Sequence, residues 1–193
     1  MNKQTQSNIV FENIQREKLL HKQFFTQWLG ATNYQIKHKK THDAVITINK
    51  RVYKMEEKYR KGVWDDILIE ILQNYCPDSV TYELGWFAFV DCELLLYVWC
   101  QCNGLNARFS ENWEPVRCLL IKPWCDFKDF FARNERLFPI HVSDRGYGHT
   151  INRVVPLKVI PRSIITVYDL DCLLSDFAPV MNFTEGQQLT FFG

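Results

Sequence analysis

Two strand-like runs with only two residues between them constrain this chain most. The first run, residues 43–48, is rich in β-branched side chains, and the second, residues 51–59, alternates with a period of two. Asn49 and Lys50 separate the runs, and a two-residue connection is typical of a β-hairpin, although this one contains no glycine. The pattern therefore predicts a hairpin whose two strands turn at residues 49 and 50.

The predicted hairpin collects two carboxylates and a lysine. Glu56 and Lys58 are two residues apart on the second strand, so their side chains share a face. Asp43 begins the first strand, which the turn brings back beside residues 56–58. Two carboxylates and the main-chain carbonyl of Glu57 suit Mg²⁺, which lowers the pKa of a bound water. A neighbouring lysine can orient that water, deprotonate it or stabilise the transition state, an arrangement that favours phosphodiester hydrolysis.

Positive charge is concentrated around the same hairpin. The chain has 193 residues and a net charge of +1, yet residues 37–61 contain nine Lys or Arg and three acids. The rest of the chain contains 14 basic and 19 acidic residues. A local basic segment predicts contact with a polyanion, and a solvated basic hairpin explains it equally well. The candidate nucleic-acid contacts are Lys39, Lys40, Lys54, Arg60 and Lys61.

The remaining hydrophobic pattern predicts one α/β domain over residues 9–193, after a flexible N-terminus at residues 1–8. Residues 66–73 fit a short helix or a buried strand, and their isoleucines favour the strand. The order of elements indicates a mixed central β-sheet flanked by helices. The other predicted elements are a helix over 11–29 ended by Gly30, strands over 94–99 and 116–121, a helix over 126–137, strand pieces within 154–166, a helical turn over 169–174, a basic connector over 34–41, and loops over 104–115 and 145–152.

The spacing Asp43-x12-Glu56-x-Lys58 on a hairpin after an N-terminal helix resembles the PD-(D/E)xK nuclease superfamily, which has the restriction-endonuclease-like fold. The resemblance covers about residues 9–100. It implies a mixed sheet flanked by helices, with Asp43 and Glu56 as metal ligands and Lys58 as the catalytic lysine. The proline that the family places before the first aspartate is replaced by His42.

The same resemblance suggests further acidic residues. Some members have an acid after the lysine, which is Glu70 here, and then Gly-Trp and an acid before an aromatic strand, here Gly85-Trp86 and Asp91. Some members have an acid in the first helix, which would be Glu17 or Glu12 here. We therefore expect Glu17 and Glu70 to support catalysis, together with Asp43, Glu56 and Lys58. The implied activity is hydrolysis of phosphodiester bonds in DNA with Mg²⁺ or Mn²⁺, by a monomer or a homodimer.

Two other interpretations stay open. Glu56, Glu57 and Lys58 could be solvated strand residues in cross-strand ion pairs. Separately, the chain could be a non-catalytic α/β module that binds nucleic acid or protein through the basic segment 37–61. The triplet Asp126-Phe127-Lys128 also has an acid two residues before a lysine, but it lies in a helical pattern where such residues point to different sides.

The cysteines and the apolar segments bear on the compartment. The seven cysteines lack the spacing of a zinc site and favour buried thiols, which suit a reducing compartment. The first eight residues are polar and no signal peptide follows them. The longest apolar stretch, residues 84–100, contains Asp91 and Glu93 and is too short to cross a bilayer. We therefore expect a cytoplasmic protein that does not contact a membrane.

Overall fold

A computed structural model describes residues 3–21, 24–39, 41–104, 106–144 and 148–170. This part of the chain is a mixed α/β fold with more strand than helix. Its helices are α1 (Lys3–His21), α2 (Phe24–Gln27), α3 (Trp86–Phe89) and α4 (Trp124–Asn134). Its strands are β1 (Ala31–Lys39), β2 (His42–Ile48), β3 (Arg51–Lys61), β4 (Asp66–Cys76), β5 (Thr81–Leu84), β6 (Leu94–Cys102), β7 (Trp113–Ile121), β8 (Ile140–Asp144), β9 (His149–Pro156) and β10 (Ile165–Asp169). Single 3₁₀ turns cover Ser110–Asn112, Glu135–Leu137, Leu157–Val159 and Arg162–Ile164.

A mixed sheet of six strands lies at the centre, in the order β1-β2-β3-β6-β7-β10. Strands β3 and β6 are parallel, and the other neighbouring pairs are antiparallel. A parallel pair needs a long crossover connection, and β4, β5 and α3 supply it here. The predicted hairpin forms as β2 and β3, and the predicted mixed central sheet is confirmed.

A second sheet, not predicted from the sequence, consists of β5-β4-β9-β8 and is antiparallel throughout. Residues 66–73 are strand, as favoured, and belong to β4. The loop predicted over 145–152 is wrong from His149 onward, because β9 begins there and pairs with β4. Pairing with a distant strand overrides the local signal of the two glycines, since strand formation depends strongly on tertiary context.

The predicted helix over 11–29 corresponds to α1 and α2, and residues 22 and 23 between them lie outside the described residues. Helix α1 begins at Lys3, within the segment expected to be flexible, and α2 ends at Gln27, two residues before the predicted end. The connector expected over 34–41 is also wrong, because β1 extends from Ala31 to Lys39 and pairs with β2. Its lysines suit an edge strand, where charged side chains oppose pairing with other chains.

Later elements agree more closely with the pattern. Strand β7 begins at Trp113, inside the loop predicted over 104–115, and ends at Ile121 as expected. Helix α4 starts two residues earlier than predicted and ends at Asn134, after which a 3₁₀ turn reaches Leu137. Asp169 ends β10 and is not helical, and positions 171–174 of the predicted helical turn lie outside the described residues.

Two hydrophobic cores lie on opposite faces of the central sheet. The first packs α1 and α2 against one face through residues such as Phe11, Leu19 and Leu96. The second fills the space between the two sheets and α4, with Leu95 and Phe127 among its members. Residues 94–100 of β6 are all buried and alternate between the two cores. The strand beside Glu56 and Lys58 is therefore fixed from both sides.

The described cysteines are free thiols. Cys100 and Cys118 are buried in the first core, as predicted for structural thiols, whereas Cys125 is exposed. Cys172 lies outside the described residues.

Helix α1 has 19 described residues, more than any other helix in the described part of the chain, and it is rich in polar side chains. Within the described ranges, no helix combines the length and the apolar character needed to cross a membrane.

Candidate active site

The hairpin turn has the backbone that its strands require. Asn49 and Lys50 have φ angles of 50° and 65°. Two successive positive φ values define the type I′ turn, whose twist matches that of the flanking strands. Asparagine tolerates this conformation better than most residues do, so the turn forms without glycine.

The site lies where β2 and β3 separate. Their pairing runs from Ile48 opposite Arg51 to Ala44 opposite Met55, and β3 continues beyond that point beside β6. Asp43 lies one residue before Ala44, just beyond this last pair. Its Oδ2 accepts a hydrogen bond of 3.0 Å from the Glu57 main-chain N–H. The N–H and C=O of one strand residue point to the same side, so the Glu57 carbonyl points to the side of β3 on which Asp43 lies. The hairpin thus places Asp43 beside residues 56–58.

Glu56 and Lys58 form a close pair on one face of β3. Lys58 Nζ lies 2.5 Å from Glu56 Oε1, and the lysine side chain is 24% exposed whereas that of Glu56 is 5% exposed. The second oxygen, Glu56 Oε2, is buried and has no hydrogen-bond partner among the residues that the structure describes. A buried carboxylate oxygen without a partner is costly. It needs a water, a ligand or a cation to satisfy it.

The charges of the site act strongly on one another. Burial raises the pKa of Glu56 to about 7, an effect that Lys58 opposes and the negative charge of Asp43 reinforces. Burial alone would lower the pKa of Lys58, but the negative charges of Glu56, Asp43 and Glu12 raise it above its ordinary value. Lys58 therefore stays protonated at neutral pH.

Helix α1 contributes Glu12 to this cluster. Burial raises the pKa of Glu12, while Lys58 lowers it and Asp43 raises it, so this carboxylate lies within the field of the site. Of the two acids considered in the first helix, the expected Glu17 is exposed. Five residues of helix separate the two side chains by more than a quarter turn, so both cannot face the same cluster.

The Glu57 carboxylate is occupied on the opposite face of the sheet. It accepts hydrogen bonds from Arg16 Nε at 2.6 Å, Tyr34 Oη at 2.6 Å and Tyr59 Oη at 2.9 Å. Its side chain is therefore not a metal ligand, and the metal contact expected from Glu57 is confined to its main-chain carbonyl. Arg16 also has Nη2 at 3.8 Å from Asp43 Oδ2, so one guanidinium links both strands of the hairpin.

The sequence did not predict Arg16, Tyr34 or Tyr59 at the site. A usable signal exists for Arg16, because it lies four residues after Glu12 and so on the same side of α1. Tyr34 belongs to β1, which was expected to be a connector, and nothing in the local pattern places its hydroxyl near Glu57.

Glu70 acts beside the site through Trp86. Glu70 is buried on β4, and its Oε1 accepts a hydrogen bond of 3.3 Å from the Trp86 main-chain N–H. The Trp86 ring centroid lies 5.0 Å from Lys58 Nζ, a cation–π contact. A Cβ on Gly85 would lie 2.3 Å from the Glu70 carbonyl oxygen, so this approach requires glycine. Glu70 is thus a support for Trp86.

The basic residues expected to bind phosphates do not form one patch. Lys54 Nζ lies 2.9 Å from Asp91, and Arg60 Nη1 lies 2.5 Å from Asp66. Lys54 and Arg60 share the face of Glu56 and Lys58 by alternation, whereas Lys61 packs over the Phe11 and Trp113 rings on the α1 side. Lys39 is exposed at the end of β1, and Lys40 lies outside the described residues.

The oxygen donors at this point suit a hard cation. The two carboxylates of Asp43 and Glu56 and the Glu57 carbonyl are ligands that Mg²⁺ accepts, with further positions left to water. Glu56 Oε2, which lacks a hydrogen-bond partner in the described part of the chain, is the oxygen left for such a cation. Taking His, Cys, Asp and Glu side chains alone, the described part of the chain holds no group of three placed to bind a metal. The candidate donor set therefore depends on the main-chain carbonyl as well.

Comparison with protein-family models, with curated proteins and with solved structures finds no match to this chain. The function of this chain is therefore inferred from the residues of the site.

Proposed function

We propose that this chain is a metal-dependent nuclease of the PD-(D/E)xK type that hydrolyses phosphodiester bonds in DNA. The observation that supports this most is the buried Glu56 Oε2, which has no hydrogen-bond partner among the residues that the structure describes. The same carboxylate pairs with Lys58, and Asp43 accepts a hydrogen bond from the adjacent Glu57 N–H. The order of elements, a helix followed by β1-β2-β3 and then by a parallel β6, supports a restriction-endonuclease-like core.

Asp43 and Glu56, with the Glu57 carbonyl, are the residues that would hold Mg²⁺ or Mn²⁺. Such an ion supplies Lewis-acid stabilisation of the phosphate and lowers the pKa of a bound water. Asp43 is restrained by its hydrogen bond from the Glu57 N–H, and Glu57 is restrained by three donors on the far face. The ligands are therefore held in place before any substrate arrives, which is a condition for efficient catalysis.

Lys58 is the residue best placed to act on the phosphate. Its ammonium group is fixed by Glu56 Oε1 and rests against the Trp86 ring. Because its pKa is raised, it carries a proton and a positive charge. It can donate a hydrogen bond to an attacking water or to a non-bridging phosphate oxygen, and it stabilises the negative charge that develops in the transition state.

Cleavage of labelled single- and double-stranded DNA tests this function. Wild type is compared with Glu56→Gln and Lys58→Met in Mg²⁺, in Mn²⁺ and in EDTA. We expect metal-dependent cleavage that falls about a hundredfold or more in both variants. Glu83→Gln is the matched control, because Glu83 is exposed on β5 and should leave the rate unchanged. Glu12→Gln is expected to slow cleavage more than Glu17→Gln does.

Other outcomes would redirect the assignment. Equal cleavage by wild type and by both variants would mean that the activity arises elsewhere. Binding of DNA without cleavage, lost on neutralising basic residues of segment 37–61, would favour the non-catalytic binding module. That alternative is weakened by the ion pairs of Lys54 and Arg60, which offset part of the positive charge.

A further inference from the structure

A large aromatic side chain is exposed in the turn that follows β3. Trp64 lies between β3 and β4, and 51% of its surface is exposed. It belongs to neither hydrophobic core. Val63 beside it is 45% exposed. Isolated surface hydrophobes are common, so the surroundings of Trp64 decide whether it has a role.

The indole of Trp64 is held in a defined orientation. Its Nε1 donates a hydrogen bond of 3.3 Å to the Lys61 carbonyl. Gly62 has a φ of +85°, and a Cβ there would lie 2.7 Å from Nε1, so the chain passes close to the ring. Arg117 Nη2 donates a hydrogen bond to the Trp64 carbonyl from β7. A ring fixed in this way loses little conformational entropy when another ring stacks on it.

One cation lies over this ring, and a second binds the Trp64 main chain. The Arg60 guanidinium lies over the Trp64 ring, with Cζ 5.0 Å from the centroid. Asp66 and Asp65 pair with Arg60 and Arg117, so part of the positive charge is neutralised. A ligand ring can therefore stack on Trp64, and the remaining positive charge adds a smaller electrostatic attraction. One face of the ring rests on Arg60, and half of its surface remains open.

The exposed tryptophan is connected to the candidate active site along β3. Arg60 and Lys58 are two residues apart on that strand, about 7 Å, and share a face. Lys58 packs on Trp86 as Arg60 packs on Trp64, each at 5.0 Å. A strand of nucleic acid passing the Trp64 ring would meet the exposed part of Arg60, which is 18% exposed and paired with Asp66, and then Lys58, which is 24% exposed. The Trp64 ring is therefore the main contact, and the two cations add to it.

We propose that Trp64 is a stacking platform for an unpaired base of single-stranded nucleic acid whose backbone passes Arg60 toward Lys58. Aromatic rings beside cations bind single strands because every base presents a π-face. A base inside a duplex is stacked already and cannot use the platform. The direction of the strand rests on the proposed nuclease function, whereas the stacking contact itself needs no catalysis.

Fluorescence anisotropy of a labelled oligothymidine in EDTA tests the platform without cleavage. We expect Trp64→Ala to weaken binding about five- to 150-fold, the range for loss of one stacked base. Trp64→Phe should retain most of the affinity because it keeps an aromatic face. Tyr82→Ala is the matched control, since Tyr82 is 56% exposed on β5 and away from β3. A blunt duplex should bind more weakly than the single strand in wild type, and oligouridine in a parallel titration distinguishes RNA from DNA.

Equal affinities of wild type and Trp64→Ala would overturn the platform, as would absence of oligonucleotide binding by wild type. Thermal unfolding of each variant confirms that it is folded. Trp64-dependent binding without any cleavage would remove the nuclease function and leave the platform standing. Metal-dependent cleavage together with oligonucleotide binding that is unchanged in Trp64→Ala would overturn the platform and leave the nuclease function standing.

Discussion

Glu56 and Glu57 are adjacent on β3, but their carboxylates face opposite sides of the sheet and have different environments. Glu56 pairs with Lys58 and keeps one oxygen without a partner among the described residues. Glu57 accepts three hydrogen bonds and is fully buried. Under the proposed function Glu56 would bind the metal, and Glu57 fixes the strand that holds it.

Glu57→Ala should lower the free energy of unfolding by about 3–5 kcal/mol, because it leaves the buried Arg16 guanidinium without its carboxylate. Urea unfolding followed by circular dichroism measures the change. Glu111→Ala is the control, since the Glu111 side chain is exposed and should change stability by about 0.5 kcal/mol or less. A Glu57 variant as stable as this control would show that the buried pair contributes nothing.

At the scale of single residues, strand alternation was enough to place Glu56 and Lys58 on one face. The expected role of Glu17 could not be separated from that of Glu12 by sequence, because choosing between them requires the rotation of α1 about its axis. That rotation is set by contacts of Phe11, Leu19 and Arg16 with strands of the sheet. These strands are distant from α1 in the sequence.

The elements around the site are positioned by close backbone contacts. Helix α3 starts immediately after Gly85, whose main-chain N–H donates to the Ile71 carbonyl on β4. The same glycine lies against the Glu70 main chain, which allows Trp86 to reach Lys58. The crossover between the parallel strands β3 and β6 is thereby joined to the site.

Gly85→Ala should destabilise the fold by about 1–3 kcal/mol, because the added methyl group overlaps the Glu70 backbone, which cannot move as a side chain can. Differential scanning calorimetry reports the loss as a lower Tm. Ala88→Ser, an equally small change at an exposed position of the same helix, is the comparison. An unchanged Tm in Gly85→Ala would mean that α3 is not packed tightly against β4.

Among the elements, the hairpin was predictable because its turn and both strands are local in sequence. Strand β1 was not predictable, since its lysines indicated a connector. Its hydrogen bonds with β2 make this segment a strand in spite of its polar composition. Helix α1 extends to Lys3 because packing of its later turns supports it, in accordance with the cooperativity of helix formation.

In the molecule as a whole, two cores share one strand. Residues 94–100 of β6 are buried and contribute side chains to both cores. Opening either core would therefore expose one face of β6 to solvent and weaken the other core. The mixed sheet was predictable from the order of elements. The second sheet was not, because the paired residues of β4 and β9 are 74 to 90 positions apart in the sequence, and such long-range pairing leaves no local signal.

We therefore expect one cooperative unfolding transition. Leu95→Ala and Leu96→Ala truncate neighbouring side chains in different cores, and each should cost about 2–5 kcal/mol. Far-ultraviolet circular dichroism and tryptophan fluorescence should give coincident transitions in both variants. Separate transitions, with each variant shifting only one of them, would show that the cores unfold independently.

Under the proposed function, Asp43 and Glu56 share one divalent ion. Electron paramagnetic resonance of Mn²⁺ titrated with the protein measures this without substrate. We predict one bound ion per chain in wild type and in the control Asp126→Asn, whose residue is exposed on α4, and loss of that ion in both Asp43→Asn and Glu56→Gln. Binding that persists in the two site variants, or no binding by wild type, would contradict the metal site and the nuclease function built on it.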